Sequence, residues 1–346
     1  MIADMLIELC AIPGPSGFEQ PAAARCRELL APYMTDTWID VLGNVIGVRR
    51  CGKDNAPTLL LDAHIDEIGL IITGVEEGFL RFHALGGLDA RTLSAAEVRI
   101  LADPPLYGVI CAMPPHVLKK EDTDKALKIE DLFIDIGLNQ AQAETAVPLG
   151  TAGVMYNGVR RFGEHLLCGK ALDDRAGFAA ILRTLALLKD TALDVDLYVM
   201  GSAQEEVGVR GAASGAFAID PDYCIVVDVS HAKTPDSKPH EARETLDGGV
   251  IISRGPNMNR AFTETAVTLA KANDIPYQIA VEPGGNSGTN ARAIQISRNG
   301  VATALLGLPM KYMHTPYEVC ATDDIESTAR LMCEMTKSLK GGAVDA

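Results

Sequence analysis

Tryptophan is nearly missing from this 346-residue chain: there is one, and Phe, Tyr and Trp together make up 5%. A cleft that binds polysaccharide by stacking sugar rings on aromatic walls has little to draw on. Cysteines number eight, but no two form a CxxC pair, so neither a thiolate zinc cluster nor a thioredoxin-like motif is written in the chain. Basic residues are scarce, with Lys+Arg 31 against Asp+Glu 46 and a net charge of −15. That balance argues against nucleic acid or anionic lipid as a partner, since both need a positive footprint. No apolar run approaches the ~20 residues of a membrane-spanning helix. The longest, Thr58–Ala63 and Tyr223–Val227, have strand length. The opening stretch Met1–Cys10 lacks a basic n-region and carries Asp4 and Glu8. It reads as an amphipathic helix rather than a signal peptide. Without an export signal the cysteines read as reduced thiols, several of them core fillers, and the expected location is the cytoplasm.

What is present is a globular composition, 47% hydrophobic and 22% charged, in a chain long enough for two domains at ~100–200 residues each. Apolar spacing predicts helices over Ile2–Cys10 and Glu19–Leu30 and strands over Val45–Val48 and Thr58–Ala63, the last buried on both faces. From Gly69 to Gly163 short alternating runs (Phe79–Phe82, Glu97–Leu101, Gly108–Ala112, Leu132–Ile136) are broken by Gly, Pro and Asp, which predicts a small β-rich domain. Within it the charged stretch Lys119–Lys128 reads as a mobile surface loop. After Leu166 a βα rhythm sets in. Helices are expected at Asp174–Leu188, Val209–Phe217, Thr263–Asn273, Ala291–Ser297 and Ile325–Leu339. Strands are expected at Leu166–Cys168, Leu197–Ala203, Tyr223–Val227, Tyr277–Val281 and Val301–Leu306. The implied fold is α/β: a mixed-sheet catalytic domain with helices on both faces, formed by residues 1–68 and 164–346, with the β-rich domain 69–163 inserted.

Each buried strand is followed by a chemically active residue. Thr58–Ala63 leads to His64-Ile-Asp66-Glu67, Leu166–Cys168 to Asp173-Asp174, and Leu197–Ala203 to Gln204-Glu205-Glu206. Tyr223–Val227 leads to Asp228, and Val301–Leu306 to Met313-His314-Thr315. Sites in open α/β sheets form beyond the carboxyl ends of the strands. Singly, each residue has a bland explanation: Asp173-Asp174 suits a helix N-cap and first turn, and Glu205-Glu206 a solvated loop. Jointly they place like charges on one edge, a costly arrangement that a cation relieves. Two His and three carboxylates are a nitrogen/oxygen donor set for Zn²⁺, Co²⁺ or Mn²⁺. Two metals ~3.5–4 Å apart sharing one carboxylate would use all five.

The motifs Ala63-His64-Ile-Asp66-Glu67-Ile-Gly69, Lys170-Ala-Leu-Asp173-Asp174-Arg175, Gln204-Glu205-Glu206-Val-Gly208, Val227-Asp228 and Met313-His314-Thr315-Pro316 resemble those of the M42 family of metallo-aminopeptidases. The resemblance runs from the first helix to the last and includes Gly86-Gly87-Leu-Asp89 and Met113-Pro-Pro-His116. The family includes glutamyl and leucyl aminopeptidases of the tetrahedral type and proteins once labelled endoglucanases. The resemblance implies that Asp173 bridges two divalent cations, with His64 and Asp228 completing one site and Glu206 and His314 the other. It implies Glu205 as general base, Asp66 as the carboxylate that orients His64, and a cis Asp173–Asp174 peptide. A hydroxide bridging the metals would attack the first peptide carbonyl of short peptides. The subunits would assemble as a homo-oligomer, from a dimer to a tetrahedral dodecamer, through the inserted domain.

Another metal amidohydrolase or deacylase on the same scaffold is the alternative, although such enzymes usually place the inserted domain after the Glu-Glu motif. A glycoside hydrolase is a further alternative, disfavoured by the few aromatics. Asn290 stands where the family commonly has Asp in Gly-Thr-Asp, which bears on a specificity pocket expected nearby. Ser287 and Thr289 read as a turn rather than a phosphate loop. His231 is either close behind the ligands or a surface residue; His83, His116, His165 and His240 read as structural or exposed.

Overall fold

The computed structural model describes residues 2–114, 116–117, 127–238, 244–283 and 287–340. Residues 119–126 of the predicted charged loop, His240, and Gly284–Asn286 lie outside the described residues.

Four strands form the parallel heart of an 11-stranded mixed sheet, in the order Asp196–Ser202, Thr58–His64, Tyr223–His231 and Ala302–Lys311. Antiparallel strands extend it on both sides. Val45–Arg49 and Asp36–Ile39 lie beyond Asp196–Ser202; Glu318–Ala321, Leu166–Gly169 and Arg160–Phe162 lie beyond Ala302–Lys311. Val250–Arg254 and Tyr277–Val281 branch off Ala302–Lys311. Glu318–Ala321 runs against both of its neighbours, so Leu166–Gly169 points the same way as the central four. Five carboxyl ends therefore share one edge.

The two-residue period of Thr58–His64 sends its side chains to two cores. Leu59, Leu61 and Ala63 join the larger cluster, to which the helices Ile2–Ala11, Gln20–Leu30, Leu172–Leu187, Arg260–Ala272 and Thr322–Ser338 contribute. Leu60 faces the smaller one, with Ala212 and Ala216 of the helix Arg210–Ile219 and Ala291 and Ile294 of the helix Ala291–Ile294. Burial on both faces explains the nearly unbroken apolar run. No helix among the described residues is long and apolar enough to cross a membrane.

Between the two pieces of this layer structure, six strands close a barrel: Gly69–Glu76, Phe79–Leu85, Phe133–Asp135, Leu106–Cys111, Glu97–Ile100 and Ala152–Met155. It has its own core of Leu70, Ile72, Leu80, Phe82, Val98, Ile100, Ile110 and Ile134. A helix not foreseen from sequence, Gln140–Ala146, sits inside this segment behind a capping box of Asn139 and Gln142.

Four boundaries depart from expectation. Arg160–Phe162 pairs with Leu166–Gly169, so the large sheet resumes before Gly163. The helix expected over Ala291–Ser297 stops at Ile294. Tyr223–His231 and Ala302–Lys311 each run several residues further than their apolar cores suggested, because they pair with each other along their whole length. Asp228 thus lies within a strand, opposite Gly307, rather than beyond its end. Val250–Arg254 and Glu318–Ala321 went unread as strands; both are short and acquire their extended form by pairing with Ala302–Lys311.

Arg175, fully buried, locks the first helix to the sheet. Its guanidinium donates to the carbonyls of Leu9, Ile12 and Ile65 and to Glu67, which also accepts from Lys170 at 2.6 Å and from the Gly14 N–H. Truncating one member of a buried charged network costs about 3–5 kcal/mol. Arg175→Ala is therefore expected to lower the urea midpoint of unfolding by that equivalent. An unchanged midpoint would show that this anchor contributes nothing to stability.

Candidate metal centre

The five expected ligand residues converge on the shared edge. His64 ends the strand Thr58–His64, Asp228 lies in Tyr223–His231, and Glu206 and His314 follow Asp196–Ser202 and Ala302–Lys311. Asp173 lies at the start of the helix Leu172–Leu187, where its own backbone and that of Asp174 are non-helical and the peptide between them is cis. One Asp173 oxygen stands 3.0 Å from His64 Nε2 and the other 3.3 Å from His314 Nε2. His314 Nε2 is also 3.5 Å from Glu206 Oε2. Two groups result, His64–Asp173–Asp228 and Asp173–Glu206–His314, each with donor atoms within 4.8 Å of one another, and Asp173 is common to both.

Electrostatics at this edge follow from burial. Burial pushes the Asp228, Glu206 and Asp174 carboxyls well above the usual carboxylate range, and the neighbouring carboxylates, Asp173 among them, add to the effect. Burial acts the same way on Asp173, but hydrogen bonds with His314 and His64 outweigh it and hold that carboxyl low. Burial disfavours a charged His64, yet its bonds to Asp173 and Asp66 raise its pKa above the ordinary value. Glu206 Oε1 and Asp174 Oδ2 are buried without a hydrogen-bond partner. An unsatisfied carboxylate oxygen beside crowded acids and two imidazoles is what a divalent cation would neutralise, and all the donors are the nitrogen and oxygen atoms such ions take. The residues fit a metal.

Asp174 serves a different purpose. Its Oδ1 accepts the Gly177 N–H at 3.0 Å, the capping role that its place before a helix suggests.

The Asp66 carboxylate, expected to orient His64, lies beside the imidazole and also bonds elsewhere. It accepts from Ser16 Oγ at 2.6 Å, from the Glu205 N–H at 3.0 Å and from the Glu206 N–H at 3.2 Å. His64 Nδ1 is 3.1 Å from the Asp66 backbone carbonyl and 3.4 Å from the carboxylate. Asp66 therefore holds the Glu205–Glu206 turn as well as the imidazole. Asn290 is not in the cleft. It is buried beneath the sheet and donates to Asp62 at 2.8 Å and Ser202 at 2.7 Å. Beside it, burial lifts the Asp62 carboxyl to about 7, so the amide spares this site a second buried acid.

Several supporting residues escaped sequence reading. The turn after Asp196–Ser202 is gripped at four successive N–H groups: Ala203 donates to Asn44, Gln204 to Glu19, and Glu205 and Glu206 to Asp66. Buried Glu318 accepts the N–H of Asp173 at 3.1 Å and of His314 at 3.3 Å, joining two ligand-bearing turns. Their signals, acids and an amide far apart in sequence, carry no local pattern.

A cavity of about 1020 Å³ opens over this centre. Its lining among the described residues includes Glu205, His231, Glu244, Val281, Glu282 and Arg292, but no Phe, Tyr or Trp. Sugar-stacking walls are thus missing there. His231 is exposed and lines the cavity, and His83, His116 and His165 are exposed away from it. Ser287 and Thr289 bond to each other in a turn, their hydroxyls 3.2 Å apart.

The barrel approaches the centre through Gly86 and Gly87. A Cβ on Gly87 would come within 2.5 Å of His314 Nδ1, and one on Gly86 within 3.0 Å of Glu206 Oε2. Gly87→Ala must displace the His314 ring. Since a misplacement of about 1 Å costs ~10²-fold in rate, kcat/KM is expected to fall about that far while the thermal midpoint stays near that of the parent. A variant with parental kcat/KM would show that His314 tolerates displacement.

The M42 glutamyl aminopeptidase family profile matches residues 43–331. The chain is 34% identical to a lysyl aminopeptidase of Pyrococcus furiosus over 97% of each chain. It superposes with a TM-score of 0.92 on a TET aminopeptidase from a marine sediment Thaumarchaeota archaeon, 30% identical, covering 98% of this chain and 96% of that one. The TET1 peptidase of Pyrococcus horikoshii, which can assemble into a tetrahedron or a large octahedral shell, gives a TM-score of 0.85 at 30% identity, over 98% of this chain and 100% of that one. The chain belongs to the M42 glutamyl aminopeptidase family and is a metal-dependent aminopeptidase.

Proposed function

We propose that this aminopeptidase holds two divalent cations, zinc or cobalt with manganese as a further candidate, and removes the N-terminal residue of short peptides. His64, Asp228 and one oxygen of Asp173 would hold the first ion; Glu206, His314 and the other Asp173 oxygen the second. The observation that carries this is the single carboxylate facing two imidazoles, each within reach of one further acid. When bound, such ions polarise a scissile carbonyl and acidify water.

The remaining work falls to the chain. Glu205 lines the cavity, and its carboxyl is raised to about 7, first by burial and then by Asp66 and Asp173. A carboxylate on the cavity wall that is not among the five proposed ligands is suited to take a proton from the attacking water and give it to the departing amine. Asp66 positions it through the Glu205 N–H. Surplus acid in the cavity attracts a protonated α-amine and so favours the first peptide bond. Glu205→Gln keeps the shape but cannot accept the proton. Its kcat should fall ~10²–10⁴-fold, with KM and metal content little changed. Loss of metal together with activity would make Glu205 a ligand instead. Asp173→Ala should lose both ions by elemental analysis; retention of both would overturn the bridging assignment.

The assembly of the Pyrococcus horikoshii relative supports a homo-oligomer here, between a dimer and a tetrahedral dodecamer. We assign the contact to the inserted domain, residues 69–163, whose surface exposes Tyr107, Tyr156 and Leu149, the two tyrosines packed edge to face 5.6 Å apart. Tyr107→Lys with Tyr156→Lys should lower the particle mass by light scattering, and an unchanged mass would place the contact elsewhere. Eight free cysteines support residence in the reducing cytoplasm.

A further inference from the structure

Among the described residues six carboxylates line the cavity: Asp173, Glu205, Glu206, Asp228, Glu244 and Glu282. Among the described lining residues Arg292 is the one Lys or Arg. It lies in the helix Ala291–Ile294 and is half-buried. In so acidic a cavity an arginine would be expected to pair with a carboxylate. Yet its guanidinium makes no hydrogen bond or ion pair with another described residue, whereas Arg175, Arg183 and Arg254 are all paired.

An unpaired guanidinium at the wall of a substrate cavity presents a planar fork that matches a carboxylate at two points. Half-burial strengthens such a pair relative to one in open water, because less of the attraction is screened. Beyond the metal ligands, the Asp and Glu side chains among the described lining residues are Glu205, Glu244 and Glu282, which would repel an anionic peptide group. We propose that Arg292 is a specificity-determining residue that binds a carboxylate of the substrate peptide. The carboxylate has two possible sources: an acidic side chain on the N-terminal residue, or the C-terminal carboxylate of a dipeptide. This rests on the aminopeptidase reading above and adds to it the class of substrate preferred.

The test compares pairs of substrates that differ only in that group, using the metal-loaded enzyme. Glutamyl- against glutaminyl-p-nitroanilide reads the side chain, and leucyl-alanine against leucyl-alanine amide reads the C-terminus. Within a pair, the ratio of kcat/KM values cancels whatever a variant does to the chemistry common to both. The parent should favour the carboxylate in one pair. Arg292→Gln should reduce that ratio about 10- to 100-fold, the loss of a charge-assisted pair, and chiefly through KM. Arg292→Lys should retain part of the preference, since an ammonium keeps the charge without the fork; it carries the same comparison if Arg292→Gln does not fold. The pair whose ratio moves identifies the source. Parent ratios near unity, or ratios insensitive to both variants, would overturn the proposal while leaving the aminopeptidase reading intact. A metal-loaded parent that cleaves none of the four substrates would instead remove the reading on which the proposal rests.

Discussion

One carboxylate, Asp173, faces two histidines with its two oxygens, and the rest of the cleft is arranged around that fact. It stands between His64 and His314, with Asp228 and Glu206 behind them. Bringing these acids into a buried cleft strips their water and sets like charges side by side. Both effects raise the Asp228 and Glu206 carboxyls above the usual carboxylate range, while hydrogen bonds with the two imidazoles hold Asp173 low. A cluster of this kind is a poor contributor to stability and a good receptor for cations. Its cost must be borne by the surrounding scaffold.

That scaffold works through main-chain N–H groups. Asn44, Glu19 and Asp66 hold four consecutive donors of the turn that carries Glu205 and Glu206. Glu318 ties the Asp173 turn to the His314 turn. Side chains on loops are precise only when the loop backbone is fixed, and charge-assisted bonds to carboxylates fix it more strongly than neutral ones.

The barrel is part of the same arrangement. Gly86 and Gly87 let its backbone lie against Glu206 and His314, closer than any side chain would permit. The segment that holds none of the five ligand residues therefore shapes one wall of the site. Arg292, from the helix Ala291–Ile294, is the one Lys or Arg among the described residues that line this acidic cavity.

Local pattern determined a good deal of this by itself. The unbroken apolar run of Thr58–Ala63, the βα rhythm after Leu166 and the broken alternation from Gly69 onward are all local, and they led to a mixed α/β sheet with a small β-domain inserted. That His64, Asp173, Glu206, Asp228 and His314 would meet at one edge was legible because each follows or lies within such a run and belongs to a short motif. What lay beyond sequence was whatever depends on partners far along the chain. Asp228 falls inside a strand because Tyr223–His231 is extended by pairing with Ala302–Lys311, not by its own residues. Asn290 is turned under the sheet toward Asp62, 228 residues away, rather than into the cleft. Glu19, Asn44 and Glu318 are ordinary polar residues in sequence, and only folding brings their oxygens to the turns they hold. A hydrogen bond needs its two atoms within about 3 Å and aligned, and no local spacing records which distant turn will arrive there.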